Sequence, residues 1–140
     1  VLADGALRSV RGEMLPTFLL PESTIREDGE GQAVDIAAAQ GKVLLATLGI
    51  TRIIEQESLD MSVWGSPDQV DWGTKPIASF PQKFYCGTYQ ILLDLNEHPD
   101  VRFVKAKCKV ARWGRGEPKP LFGVYLFVQE TERGAFGKTA

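Results

Sequence analysis

The chain has 140 residues, a formal net charge of −2, and 44% hydrophobic against 24% charged residues. This is the make-up of one ordinary globular domain, long enough to bury roughly two thirds of its unfolded surface. No apolar run reaches the ~18 residues of a membrane span, the start VLADGALRSVRGEMLP lacks the apolar centre of a secretory leader, and two cysteines make no disulfide framework. A soluble protein, cytoplasmic or part of an assembled particle, is favoured over a secreted one, and a removed leader leaves secretion open.

Residues 1–22 carry weak periodicity. Pro16 and Pro21 flank the run Phe18-Leu19-Leu20, which predicts an extended arm lying across something apolar, with Leu15, Phe18, Leu19 and Leu20 as its gripping side chains. EDGEGQ is a polar turn. AVDIAAAQ fits either a strand or a short helix. KVLLATLGITRII is apolar on both alternating faces, Leu44, Ala46, Leu48 and Ile50 against Val43, Leu45, Thr47 and Ile53, and its β-branched residues favour a strand over a helix. Leu59, Met61 and Val63 alternate with Asp60 and Ser62, as in a half-buried strand. GSPDQVDWGTKP is a long turn, and PIASF and KFYCG are short extended pieces.

TYQILLDL places Tyr89, Ile91, Leu93 and Leu95 on one face, and NEHPD turns the chain. The clearest strand follows: Val104, Ala106, Cys108 and Val110 alternate with Lys105, Lys107 and Lys109, the lysines predicted to face water and guard an edge. A change of inward parity near Phe103 suggests a bulge. LFGVYLFV is a last strand, apolar on both faces. Seven to nine short strands with frequent turn signals predict an all-β antiparallel fold, a β-sandwich or barrel, over residues 23–130, with an N-terminal arm over 1–22 and a flexible tail over 131–140.

Charge is unevenly spread. Residues 102–119 hold Arg102, Lys105, Lys107, Lys109, Arg112, Arg115 and Lys119 against Glu117 alone, while residues 22–60 are acidic. Opposed faces of this kind attract copies of the chain or another charged partner, and equally suit two solvated surfaces. Nucleic acid is disfavoured, because the whole chain is acidic and the lysine face has no interleaved aromatics of its own.

No catalytic constellation emerges, and no cofactor is implied. The single histidine, His98, sits in a polar turn with no nucleophile beside it in sequence. Two cysteines and one histidine at unrelated spacing do not make a zinc site. Asp68 and Asp71, or Glu27, Asp28 and Glu30, offer hard oxygens for calcium but lack calcium-loop spacing, so solvated acidic turns are the plainer reading. Cys86 and Cys108 fit either a bridge or two free thiols packed as small apolar residues.

All three tryptophans precede glycine, in WGSPDQV, WGTKP and WGRGEPKP. Strands ending in tight loops with large rings near the ends explain this, with Trp64 and Trp113 closing the core. An alternative is a sugar-binding platform built from Trp64, Trp72 and Trp113 with Arg112 and Arg115.

From Gly29 to Val128, the segments GEGQAVDI, LDMSVWGSPDQVDWG and VRFVKAKCKV, with the closing apolar strand, resemble two families. One is the galactose-binding-like (discoidin) jelly roll. The other comprises small sandwich proteins resembling phage head-decoration or tail-associated proteins. Both show a Ser-x-Asp-Gly-x-x-Trp turn, in which Gln69 here replaces the glycine. The resemblance implies a jelly roll with a binding or structural role and carries over no catalytic residue. The terminal cysteine pair of discoidin domains is missing.

The sequence therefore predicts a non-enzymatic structural protein that self-associates or decorates a larger particle, with a carbohydrate-binding module as the alternative. The doubly apolar strands carry this expectation, since a lone antiparallel sandwich keeps its outer faces polar.

Overall fold

The structure, a computed structural model, describes residues 16–131. Among these residues nine strands form two antiparallel sheets: β1 (Thr17–Ile25), β2 (Gly29–Glu30), β3 (Val34–Asp35), β4 (Val43–Ile53), β5 (Glu57–Ser66), β6 (Ala78–Ser79), β7 (Gly87–Asp94), β8 (Phe103–Arg112) and β9 (Phe122–Glu130). One sheet runs β1-β9-β4-β7. The other runs β2-β8-β5-β6, with β3 continuing beside β8. Apart from the neighbours β2/β3 and β5/β6, successive strands change sheet, so β2 and β3 act as one interrupted strand of a jelly roll.

Period-two patterning builds the core. Leu44, Ala46, Leu48 and Ile50 of β4 meet Phe122, Val124, Leu126 and Val128 of β9 on the inner side of the first sheet. Leu59, Met61 and Val63 of β5, with Val104, Ala106 and Cys108 of β8, line the second. Each such aliphatic side chain contributes roughly 1.5–3 kcal/mol on burial. Glu57 is also buried, at 1% exposure, and its carboxylate accepts from the Ile54 N–H at 2.9 Å and the Leu121 N–H at 2.8 Å. It ties the β4–β5 turn to the approach of β9.

The β8 reading of the sequence holds for Val104, Ala106 and Cys108, while Val110 is only half-buried; on the outer side Lys109 is exposed and Lys105 and Lys107 are half-buried. No bulge interrupts β8: its register with β5 runs unbroken from Ser66↔Phe103 to Glu57↔Arg112. The parity change arises because the buried Val101 precedes the strand, in the turn its N–H closes onto the His98 carbonyl. AVDIAAAQ divides into β3 and a one-turn helix, η1 (Ala37–Ala39).

The boundary drawn at residue 22 falls inside β1. Thr17–Ile25 pairs with β9 of its own chain, Phe18 opposite Phe127 and Ile25 opposite Phe122. Leu19 is buried in the core and Leu20 packs against it, so neither is an arm residue; Leu15 lies outside the described residues. Pro21 is tolerated because β1 is an edge strand with register shifts on either side of Leu20. Of the tail, only Thr131 is described. Both cysteines are free, Cys108 buried and Cys86 exposed in the loop before β7, so no bridge forms and Cys86 is not a core residue.

Candidate functional site

Three surface features carry large side chains. The first is the outer face of the β1-β9-β4-β7 sheet. Register sets Phe18 beside Phe127 and Phe127 beside Thr47, with Tyr125 beside Gly49 one step along. The Phe18 and Phe127 ring centroids lie 5.5 Å apart, and Tyr125 stacks on Phe127 at 6.1 Å with 12° between planes. Tyr125 lies flat over Gly49, where a Cβ would fall inside its ring, so glycine lets the aromatic ring cover the strand. Phe18 is 50% exposed, and with Pro21, Glu22, Tyr125 and Phe127 it borders a shallow depression of about 380 Å³. Leu45 and the 52% exposed Leu92 extend this face across β4 and β7. Among the described residues of this face, Phe18 and Leu92 are the large apolar side chains most open to water.

The second feature is the outer face of the other sheet. Trp64 stands opposite Lys105, so its ring belongs to this face and does not close the core. The Lys107 Nζ lies 3.9 Å from the Trp64 ring centre, and the Lys105 Nζ lies 4.3 Å from that of Trp72. Lys105 also pairs with Glu30 at 2.6 Å, and the lysine ammonium, as hydrogen-bond donor and charge, holds the Glu30 carboxyl below its usual pKa. The lysine strand therefore does have aromatics on its face, supplied by β5 and by the β5–β6 loop. Sequence reasoning missed this because only the strand register brings Trp64 to Lys105.

The β5–β6 loop is internally tied. Ser66 Oγ accepts from the Asp68 and Gln69 N–H groups at 3.1 and 2.8 Å, and Asp68 accepts from Val70 and Asp71, each at 2.9 Å. Those backbone donors lower the Asp68 pKa and commit its carboxylate to the turn. Gln69 has φ +69°, the left-handed conformation natural to the glycine it replaces. Asp28 and Glu30 are likewise occupied, by the Val110 N–H and by Lys105. Among the described residues no group of three or more His, Cys, Asp or Glu could hold a metal.

The third feature is an aromatic corner: Trp113, 60% exposed, stands edge-on to Phe84 at 6.3 Å, and Phe84 neighbours the exposed Tyr85. Arg112 braces this end, donating to the carbonyls of Glu55, Arg115 and Glu117. The five residues of the proposed sugar platform are thus not brought together. Trp64 and Trp72 share the lysine face, their rings capped by ammonium groups. Trp113 lies eight residues beyond Lys105 along the chain, roughly 26 Å at strand rise. The Arg112 guanidinium is held by carbonyls of its own loop and of the β4–β5 turn, while Arg115 is exposed.

Between β1 and β2 a groove of about 390 Å³ reaches Met61, Ala106 and Cys108, with Arg26, Asp28 and Lys119 at its mouth. Burial pushes the Cys108 thiol pKa up. His98 closes the one-turn helix η2 (Leu95–Glu97), its N–H donating to the Leu95 carbonyl.

No family model matches the sequence, and a search of curated proteins found no match. Among solved structures, that of the infectious bursal disease virus Gx strain superposes with a TM-score of 0.54 at 8% identity, over 84% of this chain and 32% of that one. The crystal structure of the infectious bursal disease virus VP2 subviral particle gives 0.45 at 9% identity, over 89% and 34%. The chain thus spans about a third of the length of the viral chains it matches. The first likeness supports the sandwich fold that the sequence implied, and not the finer choice of a phage or discoidin family.

Proposed function

We propose that this chain is a non-enzymatic jelly-roll module of a protein assembly, and that it docks on further copies through the outer face of the β1-β9-β4-β7 sheet. The observation that carries this reading is the cluster of Phe18, Tyr125 and Phe127, which the described residues cover only in part, extended by Leu45 and Leu92. A sheet face in a monomer is ordinarily polar on its solvent side. The ammonium groups that roof tryptophan rings sit on the opposite sheet, in the lysine–tryptophan layer. The fold likeness to a virus structure supports an assembly role.

The test is sedimentation velocity of the full chain and of its Phe127→Asp variant. Phe127 is only half-buried, so the variant folds, while a carboxylate in the aromatic face opposes contact. Wild type is expected to sediment above monomer mass and the variant to shift toward it. Identical distributions for the two proteins sink the reading. Among the described residues no helix is long and apolar enough to cross a membrane.

A further inference from the structure

Of the edges bordering the two sheets, three are blunted. β1 is interrupted by register shifts and carries Pro21, which has no N–H, followed by Glu22. The open side of β8 is covered in pieces by β2 and β3, and its Val110 N–H is capped by the Asp28 carboxylate at 2.8 Å. Along β5, Ile77, Phe80 and Lys83 take up the peptide groups of Val63, Met61 and Leu59. The fourth edge, β7, has no such device among the described residues. Its register with β4 is unbroken, and GTYQILLD holds no proline and a single charge, Asp94 at its end.

The ladder identifies which peptide groups of β7 are open. The Leu95 N–H donates to the Lys42 carbonyl at 2.8 Å, in phase with the pair Val43↔Asp94. Doubly bonded positions alternate in an antiparallel pair, so the odd-numbered residues of β7 bond to β4. Thr88, Gln90, Leu92 and Asp94 therefore turn their N–H and C=O groups outward, and among the described residues no strand pairs with them. Thr88, Gln90 and Leu92 are exposed, and Ile91 is only half-buried although it faces the core.

We propose that two copies pair antiparallel along β7, joining their four-stranded sheets into one across a two-fold axis. An axis normal to the sheet keeps both inner faces on the same side, so opposed residues must share parity. With the axis at Ile91, Thr88 of one copy meets Asp94 of the other, Gln90 meets Leu92, Tyr89 meets Leu93, and Ile91 meets itself. This register places all of the open residues in doubly bonded pairs. Moving the axis to Gln90 would set Asp94 against Cys86, outside the strand. The register also brings no like charges together, since each Asp94 faces a threonine. This contact is separate from the aromatic-face contact proposed above.

The experiment is sedimentation equilibrium of the full chain carrying Phe127→Asp, so that the aromatic face does not mask the edge. A dimer is expected. Adding Thr88→Asp sets two carboxylates opposite one another twice per dimer and should weaken its Kd by roughly two- to thirtyfold; Thr88→Lys should tighten it by a similar factor. Both changes fall at the same exposed position, so a fold defect cannot produce opposite signs. In a Cys86→Ser background, Ile91→Cys should form an intermolecular disulfide on mild oxidation. Opposed Cα atoms at such a position lie ~4.5 Å apart, within disulfide reach. Gln90→Cys, which faces Leu92, should not. A protein that stays monomeric at millimolar concentration overturns the proposal, as does a dimer whose Kd is the same with aspartate and lysine at position 88. Neither result bears on the aromatic-face reading, which rests on wild type against Phe127→Asp.

Discussion

Replacing Glu57 tests whether a buried carboxylate holds the two sheets in register at one end of the sandwich. Its two oxygens each accept one backbone N–H, from Ile54 and Leu121. Glu57→Ala removes both acceptors and leaves two donors without partners in a site that is 1% exposed. A buried unsatisfied donor costs about 1–3 kcal/mol, so the pair predicts a loss of about 4 kcal/mol. Glu57→Gln keeps one acceptor oxygen but points an amide NH₂ at the other N–H, and should cost about 2 kcal/mol. Part of either loss is offset, because the carboxylate no longer has to be desolvated. Urea titration followed by tryptophan fluorescence should show the midpoint falling in the order wild type, Gln, Ala, at constant slope. An alanine variant within about 0.5 kcal/mol of wild type, the range of ordinary surface substitutions, would refute the assignment of this carboxylate as a structural tie.

Two further outcomes are expected. Asp68 has a lowered pKa because the Asp71 and Val70 N–H groups, with help from Ser66, favour its ionised form; its hold on the loop is present above the ordinary aspartate value of 3.8 and is lost as pH falls through the lower folded-state value. Amide shifts of Val70 and Asp71 should therefore titrate together below that value and stay flat in Asp68→Asn; a midpoint above it contradicts the geometry. A thiol reagent at neutral pH should label Cys86 at once and Cys108 only on unfolding, since Cys86 is exposed and burial raises the Cys108 pKa; equal labelling rates in the native protein count against the burial of β8.

Much of the fold was legible because alternation in the sequence is alternation in space. Val104, Ala106 and Cys108 face inward as their period predicted, and the doubly apolar text of β4 and β9 became an inner core and a half-buried outer face. What failed did so for identifiable reasons. Pro16 and Pro21 made residues 1–22 look like an arm, yet the edge strand Thr17–Ile25, with its register shifts, accepts proline on its open side. The bulge expected near Phe103 rested on Val101, whose burial comes from a turn and not from strand parity. The lysine face looked free of aromatics because cross-strand partners are invisible until the register is known: only Ser62↔Lys107 and Trp64↔Lys105 bring indole and ammonium together. Glu57 gave no signal at all, since a lone glutamate opening a strand reads as solvated. Its partners, Ile54 and Leu121, are three and sixty-four residues away.

The two sheets solve the problem of an outer face in opposite ways. On the β2-β8-β5-β6 side, large rings are retained but roofed by Lys105 and Lys107, so each tryptophan meets water through an ammonium group. A second copy approaching that face would have to strip those hydrated cations from their rings, a cost with no matching gain. On the β1-β9-β4-β7 side, Tyr125 and Phe127 stack on one another and Phe18 leans on both, with no cation above them among the described residues. Approach from that side removes apolar surface from water without breaking an ion pair. The open edge β7 belongs to this same sheet. Pairing two β7 strands about an axis normal to the sheet sets both outer faces on one side, so Leu92 and Leu45 of the two copies adjoin and the aromatic patches become parts of one broader surface. Edge pairing and face docking would then reinforce one another: the first contact enlarges the area available to the second, at no added cost in charge.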